Sequence, residues 1–154
     1  MDPSTATWYW GLARMPLLRT PGFRKFAAVF GRIALASLFL SSVADRFGAW
    51  GRYGTPHVAW GDFQHFLAYA ETLMPFLPKL VVVILAWFAT VLEGFCGLAL
   101  LVGVKTRPVA AVSGALLVLF GLAMTMSPAG LHGAIASSVF GAASAGLLLA
   151  AVTE

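Results

Sequence analysis

The sequence predicts an all-α protein, a transmembrane four-helix bundle with an interfacial amphipathic segment between helices 1 and 2. Sixty percent of the 154 residues are apolar and only 10% are charged, with a mean hydropathy of +0.87. Soluble domains carry roughly a quarter charged residues. The apolar residues also form four runs that are long enough for a helix to cross a bilayer. Water is therefore not the main solvent of this chain.

The charges indicate a membrane surface rather than a nucleic acid. The net charge is +4 and the pI is about 9.7. Lys and Arg stand at the ends of the apolar runs and form no basic stripe, which is the placement that a cytoplasmic membrane surface selects. Nucleic-acid binding is excluded.

The cysteine content limits the redox chemistry. Cys96 is the single cysteine and lies inside an apolar run, where a small buried hydrophobe is expected. The chain has no C-x-x-C pair and no C-x-x-C-H haem attachment motif. We expect no covalently bound cofactor, so a redox role would use a bound molecule or the centres of a partner.

Residues 1–25 are mixed in character and basic at their end, and we expect them to lie along the membrane surface. Residues 26–43 follow as the first predicted membrane helix. A signal peptide is the alternative, because Ser42-Val43-Ala44 resembles a cleavage site. The preceding segment and the apolar run are both too long for a signal peptide.

Residues 45–79 form the only long polar connection, and part of it is predicted to be helical. Between 62 and 74 the apolar residues recur at helical spacing, and Pro75 and Pro78 end the pattern. Thirteen residues are too few to span a bilayer, so we expect an interfacial helix.

Three further spans are predicted at about 80–102, 109–126 and 134–152. The first of these runs gives about 34 Å of helix. In the turn 103–108 a glycine closes one helix and a proline opens the next, as is usual at helix ends.

The distribution of cations predicts the orientation. Four Lys or Arg residues in 1–25 and two in the turn 103–108 fall on one side, against three in 45–79 on the other. By the positive-inside rule both termini are cytoplasmic and the loop 45–79 faces outward.

Glu93 is the candidate functional residue of the second predicted span. An acid near a helix centre costs about 2.5–3.5 kcal/mol on insertion, so it normally faces protein or water. It is either a proton-linked or ligand-contacting carboxylate, or a structural group that hydrogen-bonds a neighbouring helix.

Arg32 is the expected partner of Glu93. It lies about 9 Å into the first predicted helix, and the alternative is that its side chain extends back to the headgroups. Ser41, on the same helix, completes the candidate ligand-binding set of Glu93, Arg32 and Ser41.

Small residues recur every fourth position on the last span, at Ala134, Ser138, Ala142 and Gly146. This spacing is typical of close helix packing in membranes. Packing inside the bundle is the expected use, and docking of another subunit is the alternative.

The three histidines, His57, His65 and His132, fall on the outward side in this topology. Convergence on a metal or haem, with Asp62 one turn before His65, is the alternative to interfacial histidines without a ligand role, but the spacing matches no metal-binding motif. We therefore predict no metal site.

Residues 30–154 resemble the DoxX family of small four-helix bacterial membrane proteins. Arg32 and the run Leu38–Gly48, which ends with Asp45-Arg46-Phe47-Gly48, resemble the first helix of that family and its exit. Glu93-Gly94, Gly103 and then Thr106-Arg107 resemble its best-marked motif, an acid in helix 2 followed by glycine and a Thr-Arg turn. The resemblance implies structural roles for Asp45, Arg46, Thr106 and Arg107. The long loop 45–79 departs from the family pattern.

The family takes its name from a membrane subunit of a thiosulfate:quinone oxidoreductase, and its fold is thought similar to the vitamin K epoxide reductase bundle. Thiol–disulfide chemistry is not transferable, because this chain lacks the cysteines.

The resemblance implies an auxiliary subunit of a respiratory or other electron-transfer complex in the bacterial inner membrane, in contact with quinone. The alternatives are a structural or assembly subunit without chemistry and, ranked last, a small proton-linked carrier. The expected partners are the lipid bilayer and other membrane subunits, and catalysis stays undecided.

Overall fold

A computed structural model describes residues 20–128 and 130–153, and these residues contain six α-helices and no strand. The predicted all-α class is therefore confirmed for this part of the chain. The helices are α1 (Pro21–Arg46), α2 (Phe63–Leu73), α3 (Lys79–Val102), α4 (Thr106–Met126), α5 (Gly130–Ala136) and α6 (Val139–Val152).

Within residues 20–128 and 130–153, three or four segments meet the requirements of a membrane span. Helices α1, α3 and α4 are each long enough to cross, with mean hydropathies of 1.8, 2.1 and 2.2 in their most apolar windows. Helices α5 and α6 meet the length and hydropathy requirement only as a pair, which is bent by 57°. The chain is a membrane protein with multiple apolar helices, as predicted.

Helix α1 is longer than predicted at both ends. Its first turn is capped by Thr20, whose hydroxyl accepts a hydrogen bond from the Phe23 N–H at 3.3 Å, with Pro21 at the first helical position. It ends at Arg46 rather than at residue 43. The predicted limits 26–43 are wrong, because charged residues end an apolar run without ending the helix. Residues 1–19 of the predicted surface segment lie outside the described residues.

The predicted limits of the next two spans are closer. Helix α3 begins one residue before the predicted start and ends, as predicted, at residue 102, where Gly103 adopts the left-handed conformation (φ 85°). Helix α4 begins at Thr106 instead of residue 109. Pro108 lies in its first turn, where no intrahelical N–H bond is lost.

The fourth predicted span, 134–152, is wrong as a single helix. The chain breaks between α5 and α6 at Ser137-Ser138, and Ser138 has a positive φ of 57°. Serine competes for backbone hydrogen bonds and stabilises helices poorly, so two consecutive serines are a weak point in an apolar run.

The long helices pack in pairs. Helix α1 contacts α3 and α6, and α4 contacts α3, α5 and α6. Gly146 of α6 lies against the backbone of Gly114 on α4, and Ala134 is also fully buried. These two small residues therefore serve the predicted internal packing, whereas Ser138 is exposed.

Helix α2 packs on the beginning of α3. Phe66 and Ala70 of α2 form a buried cluster with Val82 and Ala86 of α3, flanked by Trp60. The amphipathic helix predicted over 62–74 is thus present as Phe63–Leu73. We name the side of the bundle where α3 begins the Lys79 side, and the side where α3 ends the Gly103 side.

Candidate functional site

The most polar point of the interior is an ion pair between α1 and α3. Nη2 of Arg46 lies 2.9 Å from Oε1 of Glu93, and the two side chains are only 3% and 2% exposed. Arg46 is the last residue of α1, so its guanidinium also lies at the carbonyl end of that helix, where a cation is favoured. The pair therefore joins the end of one membrane helix to the middle of another.

Neighbouring groups complete the environment of the Arg46 guanidinium. Nη1 donates to the Thr90 hydroxyl at 2.8 Å, and that hydroxyl donates in turn to the Ala86 carbonyl at 2.8 Å. The Phe66 ring lies 3.8 Å and the Trp60 ring 5.3 Å from the guanidinium carbon. The two rings thus make cation–π contacts with the guanidinium on the side of α2.

Asp45 attaches the loop that follows α1 to the same site. Its Oδ2 accepts a hydrogen bond from the backbone N–H of Trp60 at 2.8 Å, and Asp45 is 5% exposed. Asp45 Oδ1 and Arg46 Nε are buried without a hydrogen-bond partner within residues 20–128 and 130–153. Buried polar atoms of this kind are usually satisfied by ordered water.

The expected partner of Glu93 was wrong. Arg32 does not pair with it; Nε of Arg32 donates to the Leu100 carbonyl at 3.0 Å and Nη2 to the Leu101 carbonyl at 3.4 Å. These carbonyls belong to the last turn of α3, which leaves its carbonyl groups unsatisfied within the helix. Arg46 was missed as the partner because the predicted first helix ended three residues before it.

The other predicted site residues lie elsewhere. Ser41 is exposed, and its carbonyl accepts a hydrogen bond from Trp50 Nε1 at 3.1 Å. Thr106 donates to the Gly103 carbonyl at 3.3 Å, and Arg107 is exposed. The predicted ligand-binding and structural roles of these residues stay predictions.

A second polar group lies at the start of α2. Asp62 accepts from the His65 N–H at 2.9 Å and lies 2.8 Å from His65 Nδ1 through its other oxygen. The Tyr53 ring stacks on the His65 ring with centroids 3.9 Å apart. The backbone N–H of His65, followed by its side chain, lowers the pKa of Asp62 below its ordinary value of 3.8. The sequence pointed to Asp62 and His65 only as an alternative metal or haem group and the cap was missed, although an Asp just before a helix is a capping signal.

The chemistry open to these groups is limited. Glu93 is engaged by Arg46, so proton exchange at its carboxyl would first require the ion pair to open. Across the described ranges, no three His, Cys, Asp or Glu side chains converge as metal ligands. Cys96 is buried at 1% exposure. The arrangement is suited to holding helices together around an internal charge pair.

Comparison with known proteins adds one finding. No curated protein and no solved structure matches the chain. The family model for DoxX matches residues 27–128, which run from the first turns of α1 beyond the end of α4 and include Arg46, Thr90 and Glu93. Since the match takes in well over half of the sequence, the chain belongs to the DoxX family.

Proposed function

We propose that this protein is an auxiliary integral membrane subunit that stabilises a larger electron-transfer assembly in the bacterial inner membrane. The single observation that carries the proposal is the buried pair of Arg46 and Glu93, whose charges are directed at each other. Such a pair joins helices, and it leaves little free capacity for chemistry at the carboxyl. Membership of the DoxX family supports a small membrane protein and agrees with this role.

The proposal includes an orientation. The Gly103 side is cytoplasmic, because Arg24, Lys25, Lys105 and Arg107 all flank helix ends there. Segment 47–78 then faces the outside and offers the partner its exposed aromatic side chains. These are Phe47, Trp50, Tyr53 and Phe76, each at least 58% exposed. Aromatic side chains of this kind are common at both protein interfaces and membrane interfaces.

The test is purification of the full chain from native membranes in a mild detergent. Mass spectrometry of the co-purifying proteins and lipids, with an optical spectrum, identifies the assembly and any chromophore. Deletion of the gene is then expected to lower the yield of the complex while the activity per complex stays unchanged. A chain that purifies alone and colourless, or a deletion strain with a normal yield of the complex, contradicts the proposal.

A contact with quinone is the second candidate, and two observations favour it. Trp60 and Phe66 lie beside the ion pair, and aromatic rings suit a quinone head group. Asp45 Oδ1 and Arg46 Nε are buried and lack a partner within the described residues, so each could bond a ligand oxygen, the former through a bridging water. In this role the ion pair would open, Glu93 would take up a proton from water, and its carboxyl would pass that proton to a quinone carbonyl reduced by the redox centres of the partner subunits.

Glu93→Gln tests the second candidate, and the ion pair supplies its control. The single variant removes the carboxyl and also leaves Arg46 without its counter-charge. The double variant Arg46→Gln and Glu93→Gln removes the carboxyl together with its counter-charge. Quinone-linked turnover of the assembled complex should be low in both variants if the carboxyl transfers protons. Recovery of turnover in the double variant would assign the defect of the single variant to the unpaired Arg46.

A further inference from the structure

Helix α1 ends well before the bundle does on the Lys79 side. The two helices are antiparallel, with Arg32 beside the Leu100 carbonyl and Arg46 beside Thr90. Residues 79–89 of α3 therefore extend beyond the end of α1. At 1.5 Å per residue this overhang is about 16 Å.

Helix α2 fills the place that α1 leaves free. The Phe63 ring at its start stacks on Trp87 with centroids 4.2 Å apart, and Glu71 near its end lies 3.2 Å from Lys79. Helix α2 is thus antiparallel to α3, runs in the same direction as α1, and begins at the level where α1 ends. Helices α1 and α2 therefore follow one another along α3, and residues 47–62 loop out at the break between them.

The lengths of α3 and α4 place the break inside the membrane. Helices α3 and α4 have 24 and 21 residues, or about 36 and 31 Å, which matches a hydrocarbon core of about 30 Å. Apolar side chains remain exposed along the overhang of α3, with Leu80 at 71%, Ile84 at 58% and Phe88 at 62%. A bilayer centred on α3 places the break more than about 10 Å below the surface of the hydrocarbon on the Lys79 side.

A bilayer centred on α1 alone would cover the exposed Phe26 and Phe30 but is disfavoured by charges at the same end of the molecule. The first turns of α1, residues 21–31, project beyond the turn that follows α3, because Arg32 lies at the level of Leu100 and Leu101. Shifting the bilayer toward these turns would submerge Lys105 and Arg107, at a cost of about 2.5–3.5 kcal/mol for each charge at a helix centre. The placement set by α3 and α4 avoids this cost.

The loop at the break combines glycines and the polar side chains of Arg52 and Asp62 with exposed aromatic rings, and side-chain contacts hold it at this depth. Trp50 Nε1 donates to the Ser41 carbonyl, and the Tyr53 ring stacks on His65 in the first turn of α2. Between these contacts Arg52 is exposed. Irregular backbone does not face lipid at membrane depth and is tolerated only inside protein or beside a water-filled cavity.

We propose that residues 47–62 and the first turn of α2 line a water-filled recess that opens to the Lys79 side. The recess descends to Asp45 and Arg46, whose buried Oδ1 and Nε atoms lack a partner within the described residues and are suited to bind its innermost water. The exposed Arg52 and the half-exposed Asp62–His65 pair are solvated there. This inference goes beyond the proposed function, since it brings water to the buried polar atoms beside the ion pair.

Thiol reactivity in a bilayer tests the recess. The full chain, carrying Cys96→Ala to remove its one native thiol, is reconstituted in nanodiscs, where both membrane faces meet a membrane-impermeant maleimide. Arg52→Cys and Gln64→Cys place a thiol in the recess. Ile84→Cys is the matched control, at a similar level on α3 but on its apolar face, and Lys79→Cys is the solvent reference.

Both recess variants are expected to react at about the rate of Lys79→Cys and at least about tenfold faster than Ile84→Cys, because only the hydrated thiolate attacks the reagent. Recess variants as slow as Ile84→Cys would overturn the proposal, since lipid or protein would then cover the loop. Reaction of Ile84→Cys at the solvent rate would also overturn it, because the outer part of α3 would then stand in water.

Discussion

Arg46 and Glu93 lie in an interface that otherwise buries apolar side chains such as Leu35, Phe39 and Leu100. Removing two charges from water costs several kcal/mol for each ion, and their attraction and hydrogen bonds only partly offset that cost. The pair is therefore a poor source of net stability, but each charge needs the other. Its contribution is instead to specificity, because Arg46 and Glu93 meet at only one axial alignment of α1 and α3.

We predict that Arg46→Met and Glu93→Met each destabilise the protein by about 3–5 kcal/mol, because each leaves one buried charge unpaired. The double variant should lie within about 1 kcal/mol of the wild type, since well-packed apolar residues replace a buried pair at little net cost. Unfolding is followed in detergent with a fluorogenic thiol reagent on Cys96, which is the sole cysteine and is 1% exposed. A double variant as unstable as either single variant would show that the pair stabilises the fold on balance.

At the level of single elements, α2 depends on its cap. The Asp62 carboxylate accepts a hydrogen bond from the backbone N–H of His65 in the first turn. This hydrogen bond lowers the pKa of the Asp62 carboxyl. A carboxyl with a lowered folded-state pKa contributes stability that is fully present above its unfolded value of 3.8. This contribution is lost as the pH falls further, through the folded-state value.

We predict that acidification below pH 3.8 loosens the beginning of α2 in the wild type and has less effect in Asp62→Asn. Asparagine is also a good N-cap residue, but it does not titrate in this range. Hydrogen exchange of the α2 amides, corrected for the intrinsic effect of pH, measures the difference. Equal loss of protection in both proteins would mean that the charge of Asp62 does not hold the turn.

The contact between α4 and α6 depends on a close approach of backbones. A Cβ atom at position 146 would lie 2.9 Å from the Gly114 Cα, whereas one at position 141 would meet nothing within 4 Å. Both glycines lie on α6, so they form a matched pair for substitution.

We predict that Gly146→Ala destabilises the protein by about 1–3 kcal/mol, because the added methyl group forces the two helices apart. Gly141→Ala should instead stabilise it by about 0.5–1 kcal/mol, since alanine loses less backbone entropy in a helix. Thermal unfolding of both variants in detergent gives the comparison. A neutral Gly146→Ala variant would indicate that α6 can shift along α4 without loss.

For the molecule as a whole, the sequence was sufficient where local signals agree and insufficient where tertiary contacts decide. The apolar run of α3 is bounded by Pro78 and Gly103, so its limits were predicted to within one residue. The end of α1 was missed because Asp45 and Arg46 lower the local hydropathy, although both are buried in the fold, where Trp60 and Glu93 bind them. The partner of Glu93 depends on the axial stagger of two helices, and one sequence does not encode that stagger in any local pattern.

The whole chain also has a direction across the membrane. Gly31, in the first half of α1, packs on Leu149 near the end of α6, so the start of α1 and the end of α6 lie on the same side. Lys and Arg near helix ends are concentrated on that Gly103 side. Cytoplasmic retention of cations should therefore leave both ends of the chain inside the cell.

We predict that a green fluorescent protein fused after residue 154 is fluorescent, and that alkaline phosphatase inserted after His57 is active. The first reporter matures in the cytoplasm and the second folds only in an oxidising compartment. Replacing Lys105 and Arg107 by glutamine should lower both signals, because the turn after α3 then loses its cytoplasmic bias. The matched control replaces Arg52 and Lys79, on the opposite side, and should preserve or strengthen both signals. If alkaline phosphatase were active when fused after residue 154, the orientation would be the opposite of the one proposed. The recess would then open to the cytoplasm.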